Sequence, residues 1–154
     1  MAKAISLISM VTGTIGIFIG FYLLDNHPEI ALKIVTVTTV GIVGLLAFIR
    51  HVIFHKSDSK RLGWETDRPD WMFEVGFANL AFGSIGFIAA FTDWGTQPQI
   101  LTLLGYSIYL YQAALLHLYR YIVTEKKASA RLKQSVIPTL LYAGMMTFFA
   151  FYFI

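Results

Sequence analysis

The sequence predicts an all-α integral membrane protein of five transmembrane helices, with the N-terminus in the cytoplasm and the C-terminus outside. Three observations carry this. The 154-residue chain is 56% hydrophobic and 14% charged, with mean hydropathy +0.65, whereas soluble domains carry about a quarter charged residues. The apolar residues gather into five blocks near 4–24, 30–54, 71–92, 100–123 and 135–154. Each is about 20 residues or longer, enough for a helix rising about 1.5 Å per residue to cross roughly 30 Å of hydrocarbon. Third, Lys and Arg are segregated. Lys3 lies at the N-terminus, Arg50, Lys56, Lys60, Arg61 and Arg68 flank the second connection, and Arg120, Lys126, Lys127, Arg131 and Lys133 flank the fourth. Only Lys33 lies near the other side. Basic segments are retained in the cytoplasm, which fixes the expected orientation; an inner (cytoplasmic) membrane is the expected location.

Several classes are set aside. No short alternating segments suggest a β-barrel. The basic pI of 9.2 follows from topology, so no nucleic-acid partner is expected. With no cysteine there are no disulfides, thiolate ligands or iron–sulfur clusters.

Taken in order, the first block is too long for a signal peptide, and "FYLLDNHP" offers no small-residue cleavage site. Its Ser6, Ser9, Gly13, Gly16 and Gly20 form a stripe suited to close helix packing. In the second block His51 shares a face with Gly44, and His55 follows one turn later. The polar connection "KSDSKRLGWETDRPD" then offers Trp64, with Trp71 just beyond it, as interfacial anchors. The third block divides by angle into three faces. Phe73, Phe77, Phe87 and Phe91 suit lipid, Glu74 runs with Ala78, Ala81 and Ile85, and Asn79 runs with Gly76, Gly83, Gly86 and Ala90. Small residues on two faces predict that both Glu74 and Asn79 turn inward. In the fourth block His117 sits over Ala113 and Ala114, in line with Tyr106, Leu110 and Tyr121. The fifth block, Ser135–Ile154, completes a single domain.

Shifted by 70 residues, 13–56 overlays 83–126 with 10 identities over 44 positions, from Gly13/Gly83 to Lys56/Lys126. This predicts a parallel repeat of two helical hairpins, an arrangement found among transport proteins.

Ionisable residues within membrane spans are functional candidates by default. Arg50 and Arg120 read as charge anchors at the membrane edge. His51, His117 and Glu74 would form a two-histidine, one-carboxylate metal set, or the two histidines would grip a haem. Asn79, Trp64 and Tyr106 would line the same pocket with Glu74 and bind a small ligand. Two alternatives stand beside this reading. One is a small oligomeric proton-coupled transporter or channel using Glu74, and the other is an accessory subunit of a larger membrane complex.

The run "LGWETDRPDWMFEVGFANLAFG", followed by "LGYSIYLYQAALLHLYRYI", resembles a family of small bacterial multi-spanning membrane proteins of unknown function. The match lies in Gly63-Trp64, then Glu74-Val75-Gly76-Phe77-Ala78-Asn79-Leu80 and Gly83, then Gly105 and His117. Before the glutamate the family has Ser-Pro-Phe-Gln, where this chain has Arg68-Pro69-Asp70-Trp71-Met72-Phe73. The resemblance implies that Trp64, Glu74, Asn79 and His117 belong together, and it implies no activity.

Overall fold

In the computed structural model, which describes residues 1–65, 67–123 and 135–154, the described residues are almost entirely helical. Among the described residues six helices follow one another: α1 (Ala2–Leu23), α2 (Pro28–Ile53), α3 (His55–Leu62), α4 (Asp70–Phe91), α5 (Gln97–Val123) and α6 (Ile137–Tyr152). Lys126, Lys127, Arg131 and Lys133, with the last pair of the 70-residue overlay, lie outside the described residues.

Four of the helices, α1, α2, α4 and α5, are long and apolar enough to cross a membrane. In the fifth apolar block α6 holds 16 residues, about 24 Å at helical rise, and Ser135 and Val136 just before it are helical too. The connection after the second block also contains a helix of its own, α3, which is polar and buries only Asp58 and Ser59.

Local chemistry sets these boundaries. Proline stands in the first turn of α2 and α6, where its missing N–H costs nothing. Phe54 leaves helical geometry and separates α2 from α3. Gly63 ends α3 in the left-handed region at φ 66°, and Trp64 N–H closes back on Ser59 O at 2.9 Å.

Two stretches of α2, Thr36–Ile42 and Ile49–Ile53, widen into π-helix. The first is tied by hydroxyls: Thr38 and Thr39 donate to Ile34 O and Val35 O, each at 2.7 Å. The Thr39 carbonyl takes a bond from Tyr142 OH of α6 at 3.0 Å. The widened turn thus supplies an acceptor to a neighbouring helix.

Glycines let α2 and α4 cross backbone to backbone. A Cβ on Gly44 would meet Asn79 O at 2.7 Å and Gly83 Cα at 2.9 Å. Main-chain atoms cannot swing aside, so Gly44→Ala is expected to cost about 1–3 kcal/mol. Gly105, whose Cβ would meet only the Phe82 ring at 3.4 Å, is the matched control. Melting in detergent should fall by several degrees for Gly44→Ala and stay put for Gly105→Ala; equal melting would contradict the close crossing.

The glycine stripe of α1 is likewise used inside the chain. Gly13 faces Tyr142, Gly16 faces Thr38, and Gly20 faces Val35 and Phe149. Phe18, Phe77, Phe91, Leu101 and Leu115 point outward, as lipid-facing residues do. The apolar core of Leu32, Val35, Leu103, Met146 and Phe149 fills the half of the bundle away from α3. The half beside α3 holds the polar clusters.

Candidate functional site

Asp58, on α3, has no exposed surface, and three basic residues converge on it. Arg61 supplies two contacts to Oδ1, Nη2 at 2.7 Å and Nε at 2.9 Å. Oδ2 lies 2.8 Å from His51 Nδ1 and 3.5 Å from Arg50 Nε, neither in hydrogen-bond alignment. Burial alone would raise the Asp58 carboxyl. The His51 contact, then the Arg50 charge, outweigh that and hold it below the usual carboxylate range. The helix itself is seated on the start of α1, where Ala2 N–H donates to Ser57 Oγ at 3.3 Å.

The proton on His51 can be placed by elimination. Arg50 Nη2 lies 3.1 Å from His51 Nε2. A guanidinium only donates, so Nε2 must offer a lone pair, and the proton of the neutral ring sits on Nδ1 facing Asp58. A second proton on Nε2 would take the lone pair that Arg50 uses. Proton and guanidinium compete for one nitrogen.

Deeper in the bundle, Asn79 is 3% exposed and bonded on every side. Its Nδ2 donates to Val75 O at 2.7 Å and to Tyr109 OH at 2.8 Å. Its Oδ1 accepts from Tyr106 OH at 2.8 Å. The Val75 carbonyl can only accept, which fixes the amide's orientation. Asn79 lies about 13 Å along α4 from its start, near the middle of a hydrocarbon layer. The interior thus holds two polar clusters, Asp58 with His51, Arg50 and Arg61, and Asn79 with Tyr106 and Tyr109. In the apolar half, Thr36 Oγ1 and Gln99 Oε1 are buried without a hydrogen-bond partner among the described residues.

The residues expected from the sequence separate into groups. Asn79 and Tyr106 meet directly. Trp64 stacks on His117, with ring centroids 5.0 Å apart and planes at 19°, and lies 5.4 Å from Trp71. Arg120 sits over Trp64 at 5.5 Å from the ring centroid. Glu74 does not turn inward: it is exposed together with Ala81 and Ile85 of its face. His51, His117 and Glu74 do not converge, and among the described residues no three His, Asp or Glu side chains are placed to hold a metal ion. The geometry thus brings the expected metal set to no common centre among the described residues.

Asp58, Arg61 and Tyr109 were not expected. His51 and Asp58 lie on different helices, parted by the break at Phe54, so no helical periodicity links them and the segment reads as a polar connection. Arg50, expected as an anchor, is a member of the cluster.

No curated protein and no solved structure matches this sequence. The profile of the Family of unknown function (DUF6790) matches residues 3–152, nearly the whole chain, and the protein belongs to that family.

Proposed function

We propose that the protein is a small proton-linked transport protein of a bacterial cytoplasmic membrane. In this reading α6 is the fifth crossing, its short length met by tilt of its neighbours or local thinning of the bilayer. The N-terminus and α3 face the cytoplasm and the C-terminus lies outside, as the basic segments favour.

The observation that carries the reading is the shared nitrogen, His51 Nε2. A proton arriving from the cytoplasmic side displaces the Arg50 guanidinium, and ionised Asp58 stabilises the imidazolium that forms. Arg50, released, is free to turn its donors toward the hydroxyl oxygens around Asn79. Proton occupancy at one end is thereby tied to the polar centre of the bundle, where a proton or a small polar solute would be handed on. The apolar core closes the outer half in this arrangement, with Thr36 and Gln99 the polar groups on the route that must open. Glu74, exposed at the α4 surface, has no part in the route.

Two features speak against an accessory-subunit role. The glycine stripes that would dock a partner are filled by the chain's own side chains, and the interior polar groups mostly find partners within the chain.

Proteoliposomes carrying an internal pH dye and a potassium diffusion potential test the proposal. Wild-type protein should acidify the lumen faster than empty vesicles, and His51→Gln, if monodisperse on gel filtration, should lose the excess flux. Equal flux in both proteins, or no flux above empty vesicles across a panel of small solutes, would overturn it.

A further inference from the structure

A cleft of about 270 Å³ opens beside α3, lined by His55, Lys56, Ser59, Asp67, Pro69 and Met72. It lies where α2 has just ended and α4 has just begun, the depth at which headgroups sit if those helices cross a bilayer. Its size falls below the roughly 300–1,000 Å³ of sites for drug-sized ligands and suits one small polar group.

The lining pairs opposite charges around an apolar floor. Lys56 is an exposed cation and Asp67 an exposed carboxylate, while Met72 beneath them is fully buried. Ser59 Oγ donates its proton to Lys56 O at 3.1 Å, so toward the cleft it offers lone pairs alone. His55 is held by Nδ1 on Val52 O at 3.0 Å and by an edge contact with Phe73, which leaves Nε2 as the nitrogen able to turn to a ligand. One small cleft thus offers a cation, Lys56, together with acceptors on Asp67 and Ser59, a set that matches a zwitterion, not a simple anion.

We propose that this cleft binds the phosphoethanolamine headgroup of a membrane phospholipid. Lys56 takes the phosphate, and Asp67 with Ser59 takes the ammonium through its N–H donors. A choline headgroup, whose quaternary nitrogen has no N–H, cannot make the second set of bonds. The site is distinct from the His51–Asp58 pair, and its test does not depend on transport.

The experiment is native mass spectrometry of protein released from nanodiscs of equal phosphatidylethanolamine and phosphatidylcholine. Wild-type protein should retain phosphatidylethanolamine several-fold over phosphatidylcholine. Asp67→Asn should erase the preference, and Lys56→Gln should reduce retention of both lipids. These side chains are exposed, so both variants are expected to fold, with gel filtration as the check. No preference in the wild type, or an unchanged preference in Asp67→Asn, would overturn the assignment. Delipidated protein binding free phosphoethanolamine as tightly as the lipid would overturn the lipid as ligand in favour of a soluble phosphoester.

Discussion

Replacing Asp58 with Ala is expected to destabilise the fold by about 3–5 kcal/mol, the range measured when one member of a buried ion pair is removed. Two guanidiniums and an imidazole converge on this carboxylate, and the substitution leaves them in the protein without their counter-charge. Arg61→Gln is a milder change. The Arg61 side chain keeps 31% of its surface exposed, so water replaces much of what is lost, and a cost of about 1 kcal/mol or less is expected. Thermal unfolding in detergent, read by loss of monodisperse protein, should rank Asp58→Ala well below Arg61→Gln and Arg61→Gln close to wild type. Equal losses would contradict the burial of Asp58.

The same carboxylate gives an acid signature. Its folded pKa is depressed by His51 and Arg50 against the opposing effect of burial, so its stabilisation is complete above the unfolded value of about 3.9. It disappears as pH falls below that value and through the folded one. Wild-type melting should therefore drop below about pH 4, and Asp58→Asn, already low, should lose that step. A drop that begins near neutrality would assign the acid sensitivity to another group.

Asn79→Leu carries the second large effect. Isosteric in bulk, it removes three hydrogen bonds and strands the hydroxyls of Tyr106 and Tyr109 between α4 and α5. Each buried group left without a partner costs about 1–3 kcal/mol, so a loss of about 2–4 kcal/mol is expected. Hydrogen bonds between membrane helices average about 0.6 kcal/mol in double-mutant cycles, with a maximum near 1.7. The Asn79–Tyr106 coupling should therefore be much smaller than the cost of Asn79→Leu alone. In practice, Tyr106→Phe should cost less in the Asn79→Leu background than in wild type, and strictly additive losses would show that the amide and the phenol do not act as a pair.

The helical class and the position of Asn79 were legible in the sequence for specific reasons. Blocks of apolar residues the length of a membrane span have few other solutions, and Gly76, Gly83 and Gly86 mark one side of α4 as a place where another helix arrives. The same logic misplaced Glu74. Its neighbours Ala78 and Ala81 are also small, and small residues on a helix do not distinguish a packed face from one open to lipid. His51 and His117 lie on different helices, and nothing along one chain says which way two such rings turn. The fold gives each a neighbour from the segment read as a connection: Asp58 for His51 and Trp64 for His117. The π-helical turns of α2, which aim the Thr39 carbonyl at Tyr142, leave no mark in residue periodicity. Membership of a family of unknown function agrees with the expectation of such a family, and it adds no chemistry to either histidine.

Competition between a proton and Arg50 for His51 Nε2 is the centre of the account, and side-chain 15N NMR reads that nitrogen directly. Protein 15N-labelled at histidine and arginine in nanodiscs, with His27, His55, His117 and Arg50 assigned by single replacement, would be followed as pH is moved through the range in which flux operates. The account predicts a neutral His51 with its proton on Nδ1 at the high end. At the low end Nε2 gains a proton as the Arg50 guanidinium signal shifts in step. A His51 ring that carries its proton on Nε2 while neutral, or that keeps one protonation state throughout, would contradict it.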